Sequence, residues 1–261
     1  MSGSAITARN ERCSGVESDH RIHLDVEHGL FVLADAKGPT YGGYHAPFAI
    51  DPGVEALVAS YRAQQHLGRA FAAAHTAMRG VATTLDAACE RRRAESGADP
   101  LRAAFAAADD VRPPRFTHLA GRSFAHAGAS MIALAASSGK VALAWVGNCR
   151  AYRVRGGTAE VLARDHTLHS LRLRRGDRDP NPAMSLLVTC RWMGLQDELQ
   201  AEYLETPVVP GDRFVLCSWA VWVGEEQAIV TLDGQHANLE AVARRAASSP
   251  REDASILVVC A

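Results

Sequence analysis

The stretch ASMIALAASSGKVALAWVGNCRAYRVRGGTAEVLAR, residues 129–164, decides the fold class. It contains three or four apolar runs of strand length, separated by the short segments SSGK, GN and RGG. Each separator is a hairpin signal, because glycine and asparagine tolerate the positive φ angles that tight turns require. The stretch therefore predicts antiparallel strands joined by short turns.

Further strands flank this block on both sides. Residues 22–35 are typical of a β-hairpin, with the strand IHLDV, the turn EHG and the apolar strand LFVLAD, which ends at Asp35. The segments AEYLETPVV, RFVLC and SILVVCA predict three more strands in the C-terminal part of the chain.

Helical blocks lie between these strands. An alanine-rich helical region is expected from Pro52 to about Ala108, with a break at ESGADP and a short helix from Leu101. Another helix is expected between EEQAIV and ARRAAS, whereas HTLHSLRLRRGDRDPNPAM is interpreted as a polar, arginine-rich loop. Without regular βαβ alternation, this order favours an α+β fold with mainly antiparallel sheets.

The composition excludes several classes of protein. The 261 residues are 48% hydrophobic and 22% charged, which is ordinary for a globular protein, and the net charge of −1 provides no field for nucleic acid or an anionic membrane. The six cysteines are scattered, which argues against a zinc knuckle or a disulfide framework and favours a reducing compartment. Neither a signal peptide nor an apolar run of the roughly 18 residues that a membrane span needs is present. We therefore expect a cytoplasmic protein.

Six segments, in order, resemble one family. FVLADAKG is similar to FVVADGMGG, RDHT to RDHS and VTCRWMG to LTRALG of the bacterial metal-dependent Ser/Thr phosphatases (the PPM, or type 2C, family). GASMIALAASSGKVALAWVGNCRAYRVRGG, PGDRFVLCSWAVW and EDASILVV resemble three further motifs of that family. The resemblance runs from about Glu17 to Val259 and implies a four-layer α/β/β/α sandwich. We expect one such domain over residues 1–261, with residues 1–16 as a partly ordered N-terminal extension.

The resemblance also implies a chemistry. In the family, two divalent cations, usually manganese or magnesium, activate the water that hydrolyses a phosphate ester, and several carboxylates hold them. Asp35 matches the bridging aspartate, and Ala36 replaces the glycine whose backbone carbonyl binds a metal. Asp19 matches the aspartate of the N-terminal NED motif, so the resemblance implies Asp35 and Asp19 as catalytic residues. Glu252 falls on the aspartate of the DN motif, with Asp253 beside it. Arg12 and Arg9 are the candidates for the phosphate-binding arginine, although both lie farther upstream than in the family.

Three positions depart from the family's pattern. Trp219 replaces the aspartate of the SDG motif, and Asn148 replaces the aspartate of the GDSR motif. An indole offers no lone pair suited to a hard cation, and the ring is expected to fill space meant for metal and water. Lys37 adds an ammonium group two residues after Asp35, where it could partly neutralise carboxylates left without a metal.

Ordinary structural roles are alternatives to these functional assignments. The tryptophans at 219 and 222 are also consistent with ordinary core packing, and Cys149 and Cys217 with small buried side chains. The polar cluster Asp19, His20, His23, Asp25 and His28 could suggest zinc, but its alternation is typical of an exposed strand face. The run Arg172, Arg174, Arg175 and Arg178 is typical of a solvated loop or, alternatively, of a contact with a phosphorylated or acidic partner.

The first functional hypothesis is a pseudophosphatase, which serves as a binding or regulatory module for a phosphoprotein, a kinase or a signalling protein. It implies no metal, or a single manganese or magnesium ion if a partial site survives. The second is a divergent but active Ser/Thr phosphatase that uses two ions held by Asp35, Asp19, Glu252 and Asp253. The third is a scaffold subunit whose cleft is irrelevant. In each case we expect neither nucleic acid nor membrane as a partner.

Overall fold

The computed structural model describes residues 1–8, 20–37, 59, 101, 102, 104–106, 128–137, 139–176, 191, 200–248 and 253–261. Its strands are β1 (Ser2–Ala8), β2 (His20–Asp25), β3 (Leu30–Lys37), β4 (Gly128–Ser137), β5 (Lys140–Val146), β6 (Arg150–Arg155), β7 (Thr158–Ala163), β8 (Glu202–Pro207), β9 (Arg213–Cys217) and β10 (Ala254–Cys260). Its helices are α1 (Leu168–Arg174), α2 (Trp219–Gly224), a 3-10 helix (Glu226–Thr231) and α3 (His236–Ser248).

The strands form two antiparallel sheets of five strands each. The first sheet has the order β1-β10-β9-β6-β7, and the second has the order β2-β3-β4-β5-β8. The hairpin expected over residues 22–35 is β2–β3, although its second strand continues past Asp35 to Lys37. The prediction of mainly antiparallel sheets is confirmed.

Three apolar layers hold the sheets and helices together. One layer lies between the two sheets and contains, among others, Phe31, Leu33, Leu143, Phe214 and Leu257. A second layer packs α2 and α3 against the outer face of the first sheet. The third packs the helical residues Leu101, Ala104 and Phe105 against the outer face of the second sheet. The resulting order of helix, sheet, sheet and helix is the four-layer sandwich that the sequence predicts.

Several elements differ from the sequence predictions. The Gly147-Asn148 segment is not a hairpin, because β5 lies in the second sheet and β6 in the first, so the chain crosses between the sheets here. The segment after Arg164 is not simply a loop: Leu168–Arg174 is helical, with the Thr167 side chain capping its first turn at the backbone N–H of Ser170. The apolar run WAVWVG is the helix α2, which begins one residue after Ser218.

The N-terminal residues also take a regular position. Ser2–Ala8 pair with β10 along its whole length, from Ser2 opposite Cys260 to Ala8 opposite Ala254. The sequence analysis assigned residues 1–16 to an extension and did not predict this strand. Among the described helices, none is long and apolar enough to cross a membrane.

Candidate functional site

A row of polar side chains crosses one end of the second sheet. His20 on β2 lies opposite Asp35 on β3, and Asp35 lies opposite Ser130 on β4. Residues two positions away on these strands belong to the apolar layer between the sheets, so the three polar side chains face the first sheet. All three are buried.

A row of hydroxyl groups on the first sheet faces them. Thr7 on β1 lies opposite Ser255 on β10, and their hydroxyl oxygens are 2.7 Å apart. Ser218, just after β9, completes the row, because its hydroxyl accepts a hydrogen bond from the backbone N–H of Ser255 at 3.0 Å. The same end of the sandwich therefore carries polar groups on both inner faces.

His20 joins the two rows. Its Nδ1 lies 2.8 Å from the hydroxyl oxygen of Ser255, and its Nε2 lies 3.3 Å from Oδ1 of Asp35. Only 6% of His20, 2% of Asp35 and none of Ser255 is exposed. We call Asp35, His20 and Ser255 the cross-sheet chain, since its hydrogen bonds connect the second sheet to the first.

The crossover at Gly147 and Asn148 borders this chain. Gly147 has φ +99°, and a Cβ there would lie 2.2 Å from the hydroxyl oxygen of Ser130, so both conformation and space require glycine. The backbone N–H of Asn148 donates to that hydroxyl at 3.0 Å, and its backbone carbonyl accepts from the indole N–H of Trp222 at 2.8 Å. Asn148 is 4% exposed, and its side-chain oxygen Oδ1 has no hydrogen-bond partner in the described part of the chain.

Arg150 anchors the other side of the crossover. Its Nε donates to Oδ1 of Asp165 at 2.6 Å, and its guanidinium stacks 3.6 Å from the centre of the Trp222 ring. Burial opposes the charges of this pair. Even so, Arg150, together with hydrogen bonds from Thr167 and Ser170, holds the pKa of Asp165 below its ordinary value. The pKa of Arg150 is raised because Asp165 and Tyr152 outweigh the effect of burial.

His166 fixes the segment after β7 to the same crossover. Its backbone N–H donates to the carbonyl of Gly147 at 2.6 Å, and its Nδ1 accepts from the N–H of Gly147 at 3.1 Å. Its Nε2 lies 3.1 Å from Oε1 of Glu202 at the start of β8. Burial lowers the pKa of His166 to about 4, against the opposing effect of Glu202, so the ring is neutral at pH 7.

Several solved structures of Ser/Thr phosphatases share this architecture. The PPM Ser/Thr phosphatase MsPP from Mycobacterium smegmatis, crystallised with cacodylate, aligns over 100% of this chain and 98% of its own, with a TM-score of 0.69 and 18% identity. PppA of Pseudomonas aeruginosa, described as a regulatory component of T6SS, aligns over 98% and 96%, with a TM-score of 0.63 and 21% identity. The catalytic domain of the phosphatase PstP in complex with two manganese ions aligns over 98% and 96%, with a TM-score of 0.65 and 15% identity.

The chain has the PPM phosphatase fold. Neither a protein-family model nor a curated protein matches the sequence. The three PPM structures share only 15–21% sequence identity with this chain, whereas their backbones align with at least 98% of it.

The PPM motif positions are only partly described. Asp35 lies buried in β3, and Ala36 and Lys37 continue that strand opposite Ala129 and Gly128. Asp253 lies half-buried just before β10. The predicted site residues Asp19, Glu252 and Arg12 lie outside the described residues, as does the other candidate, Arg9.

Trp219 occupies the first position of α2. Its side chain is half-buried and packs against the apolar layer between the first sheet and the helices. The resemblance predicts that this ring fills the metal space beside Asp35, whereas in the structure it packs against the layer of α2 and α3.

His20 was missed as a site residue. The sequence analysis interpreted it as part of an exposed strand face, but it is buried between the two sheets. The signal was its spacing from Ile22, because alternate residues of a strand share a face and Ile22 packs against the inter-sheet layer. Ser255, in the segment EDASILVV, carried the same kind of signal through Leu257.

The described donors do not fit a pair of hard cations. Manganese and magnesium prefer several carboxylate oxygens, and the cross-sheet chain offers one carboxylate, one imidazole and hydroxyl groups. The predicted motif positions Trp219 and Asn148 carry an indole and an amide side chain, which offer no anionic oxygen to a cation. The described residues contain no group of three or more His, Cys, Asp or Glu side chains that could hold a metal ion.

Proposed function

We propose that this chain is a pseudophosphatase, a PPM-fold protein that does not hydrolyse phosphate esters by the two-metal route. In this proposal it is a binding or regulatory module in phosphorylation signalling, and its partner is a phosphoprotein, a kinase or another signalling protein. The free thiols of Cys149, Cys217 and Cys260 support the proposal that the protein functions in a reducing compartment such as the cytoplasm.

The observation that carries the proposal is the state of Asp35. In the bridging role, the oxygens of this carboxylate would coordinate the cations and contact their shared water. Here Oδ1 faces the ring nitrogen of a buried histidine, which is itself held by Ser255 of the opposite sheet. A cation on Oδ1 would compete with this contact, and the buried ring of His20 would lose a partner if Asp35 moved away from it.

The changes at Trp219 and Asn148 support the same conclusion. Each replaces an anionic oxygen ligand with a neutral side chain, which lowers the negative charge available to two divalent cations. The Asn148 backbone is in addition tied to Ser130 and Trp222, so its position is set by neutral hydrogen bonds.

Hydrolysis with added manganese tests the proposal. The protein is assayed with p-nitrophenyl phosphate and with a phosphothreonine peptide, beside the variant Asp35→Asn and an active PPM phosphatase as positive control. We expect the same background rate for the protein and the variant at every manganese concentration. Manganese-dependent turnover that disappears in Asp35→Asn would refute the pseudophosphatase.

A thermal titration provides a second measurement. A ligand that binds only the folded state raises the melting temperature with its concentration. We expect the melting temperature to be the same in manganese, magnesium and EDTA. A rise with manganese that Asp35→Asn removes would instead favour a surviving metal site.

A further inference from the structure

Arginines are concentrated on and beside the short helix α1. Arg164 precedes the helix, Arg172 and Arg174 lie in its last turn, and Arg175 follows it. The acidic residue in this stretch, Asp165, is fully buried and engaged by Arg150, so it neutralises none of these side chains. The local excess of positive charge stands out in a chain whose net charge is −1.

Two of these guanidinium groups share one carboxylate. Arg174 and Arg191 both place Nη1 against Oε1 of Glu202, the latter at 3.4 Å. Arg174 also donates to the backbone carbonyl of Arg164, which brings the start of the segment to the same place. Glu202 therefore brings the guanidinium groups of Arg174 and Arg191 close together, and its single negative charge is shared between them.

The guanidinium groups of the other arginines, Arg164, Arg172 and Arg175, make no ion pair within the described part of the chain. Arg172 and Arg175 are three residues apart, a spacing at which like charges on a helix repel each other. Leu173, the next residue along the helix after Arg172, is 44% exposed, so an apolar side chain also lies in solvent near these arginines.

This combination fits a particular ligand chemistry. Guanidinium groups bind carboxylates through paired hydrogen bonds, and an unpaired group pays no cost of breaking an existing ion pair. Nucleic acid would need a longer track of positive charge and would meet the net negative charge of the remaining surface. A peptide can place a carboxylate on each arginine and an apolar side chain on Leu173.

We propose that the arginine surface, formed by Arg164, Arg172, Leu173, Arg174, Arg175 and Arg191, binds an acidic segment of a partner protein. His166 and the crossover connect this surface to the cross-sheet chain. Binding of an acidic segment requires no reaction at Asp35, so this inference does not depend on whether the Asp35 cleft hydrolyses phosphate esters.

Fluorescence anisotropy tests the binding. The probe is a fluorescein-labelled peptide of alternating glutamate and glycine with one central leucine. Arg172→Glu combined with Arg175→Glu removes two attractions and adds two repulsions, so we expect the Kd to rise about tenfold or more. Because neither side chain has an ion-pair partner among the described residues, the double variant is expected to keep the melting temperature of the parent.

The matched control makes the same charge change elsewhere. Arg244→Glu with Arg245→Glu alters two exposed arginines on α3, which covers the outer face of the first sheet. We expect this variant to bind the peptide nearly as well as the parent. Equal weakening in both double variants would show only a general field and would overturn the proposal.

Three ligand arms complete the design. A peptide with glutamine in place of glutamate is expected not to bind, and equal binding would overturn the role of charge. A phosphoserine peptide of equal charge is expected to bind no more tightly than the glutamate peptide, and exclusive binding of the phosphopeptide would overturn the acidic segment as ligand. Tighter binding of a single-stranded DNA oligonucleotide of equal charge would also overturn it, and so would failure of the parent to bind the glutamate peptide.

Discussion

At the scale of the residue, His20 uses both ring nitrogens at once. Its Nε2 lies 3.3 Å from a carboxylate oxygen of Asp35 and its Nδ1 lies 2.8 Å from the hydroxyl oxygen of Ser255, so one imidazole contacts a partner on each sheet. A directional link at this end of the interface thereby adds to the apolar packing between the two sheets.

Removing that link should cost stability. We expect His20→Ala to lower the free energy of unfolding by about 1–3 kcal/mol, because the buried groups of Asp35 and Ser255 each lose a hydrogen-bond partner. Urea denaturation of the variant measures the difference. His236→Ala, at an exposed position of α3, is the control and should change little. Equal stability of the two variants would mean that the cross-sheet chain does not hold the sheets together.

At the scale of the element, the crossover between β5 and β6 depends on one backbone conformation. Gly147 combines a positive φ with close contact to Ser130, whereas Gly139, in the turn between β4 and β5, has φ +75° and open space around it. The two glycines therefore separate the effect of conformation from the effect of crowding.

We expect Gly147→Ala to destabilise the protein by about 3 kcal/mol or more, because a clash adds to the backbone strain. Gly139→Ala should cost only about 1–2 kcal/mol, from strain alone. Chemical denaturation of both variants measures the contrast. Similar losses would indicate that the segment around Ser130 moves to accept the methyl group.

These elements show where sequence patterns suffice. Alternating and continuous apolar runs located the strands from β2 to β10, because burial of a strand face dictates that pattern. Gly147-Asn148 was misread since a tight hairpin and a crossover between sheets both need a residue with positive φ, and only the pairing partners of β5 and β6 distinguish them. The helix α1 was missed because its exposed arginines hide the apolar spacing of Leu168 and Leu171.

The candidate site was less predictable than the fold. The match of FVLADAKG to the PPM motif singled out Asp35 as a candidate site residue. The position of His20, in contrast, depends on which face of β2 packs against the other sheet. That choice follows from long-range packing between β2, β3 and β10, which no local pattern records. The strand β1 was missed for a similar reason, since its pairing partner lies at the other end of the chain.

At the scale of the whole molecule, burial of His166 makes stability depend on pH. Its pKa is about 4 in the folded protein and about 6.5 in an unfolded chain, so the unfolded state takes up a proton first as the pH falls. The stabilisation is complete above the unfolded value, declines between about 6.5 and about 4, and is constant below that range.

We therefore expect the free energy of unfolding to drop by on the order of 2–3 kcal/mol between these pH values from this residue alone. The variant His166→Gln should lose most of that slope, even if its stability at neutral pH is lower. Denaturation curves across this range compare the slopes, with His236→Ala as the control that keeps the slope of the parent. An unchanged slope in His166→Gln would contradict the buried neutral imidazole.

Two of the chain's four tryptophans donate their indole N–H groups beside the crossover, Trp145 to the carbonyl of Arg164 at 2.9 Å and Trp222 to that of Asn148 at 2.8 Å. Indole emission shifts to longer wavelength when water reaches the ring. The molecule therefore carries its own optical reporter, and a partner that loosens the junction between the sheets would be visible in the emission spectrum without a label.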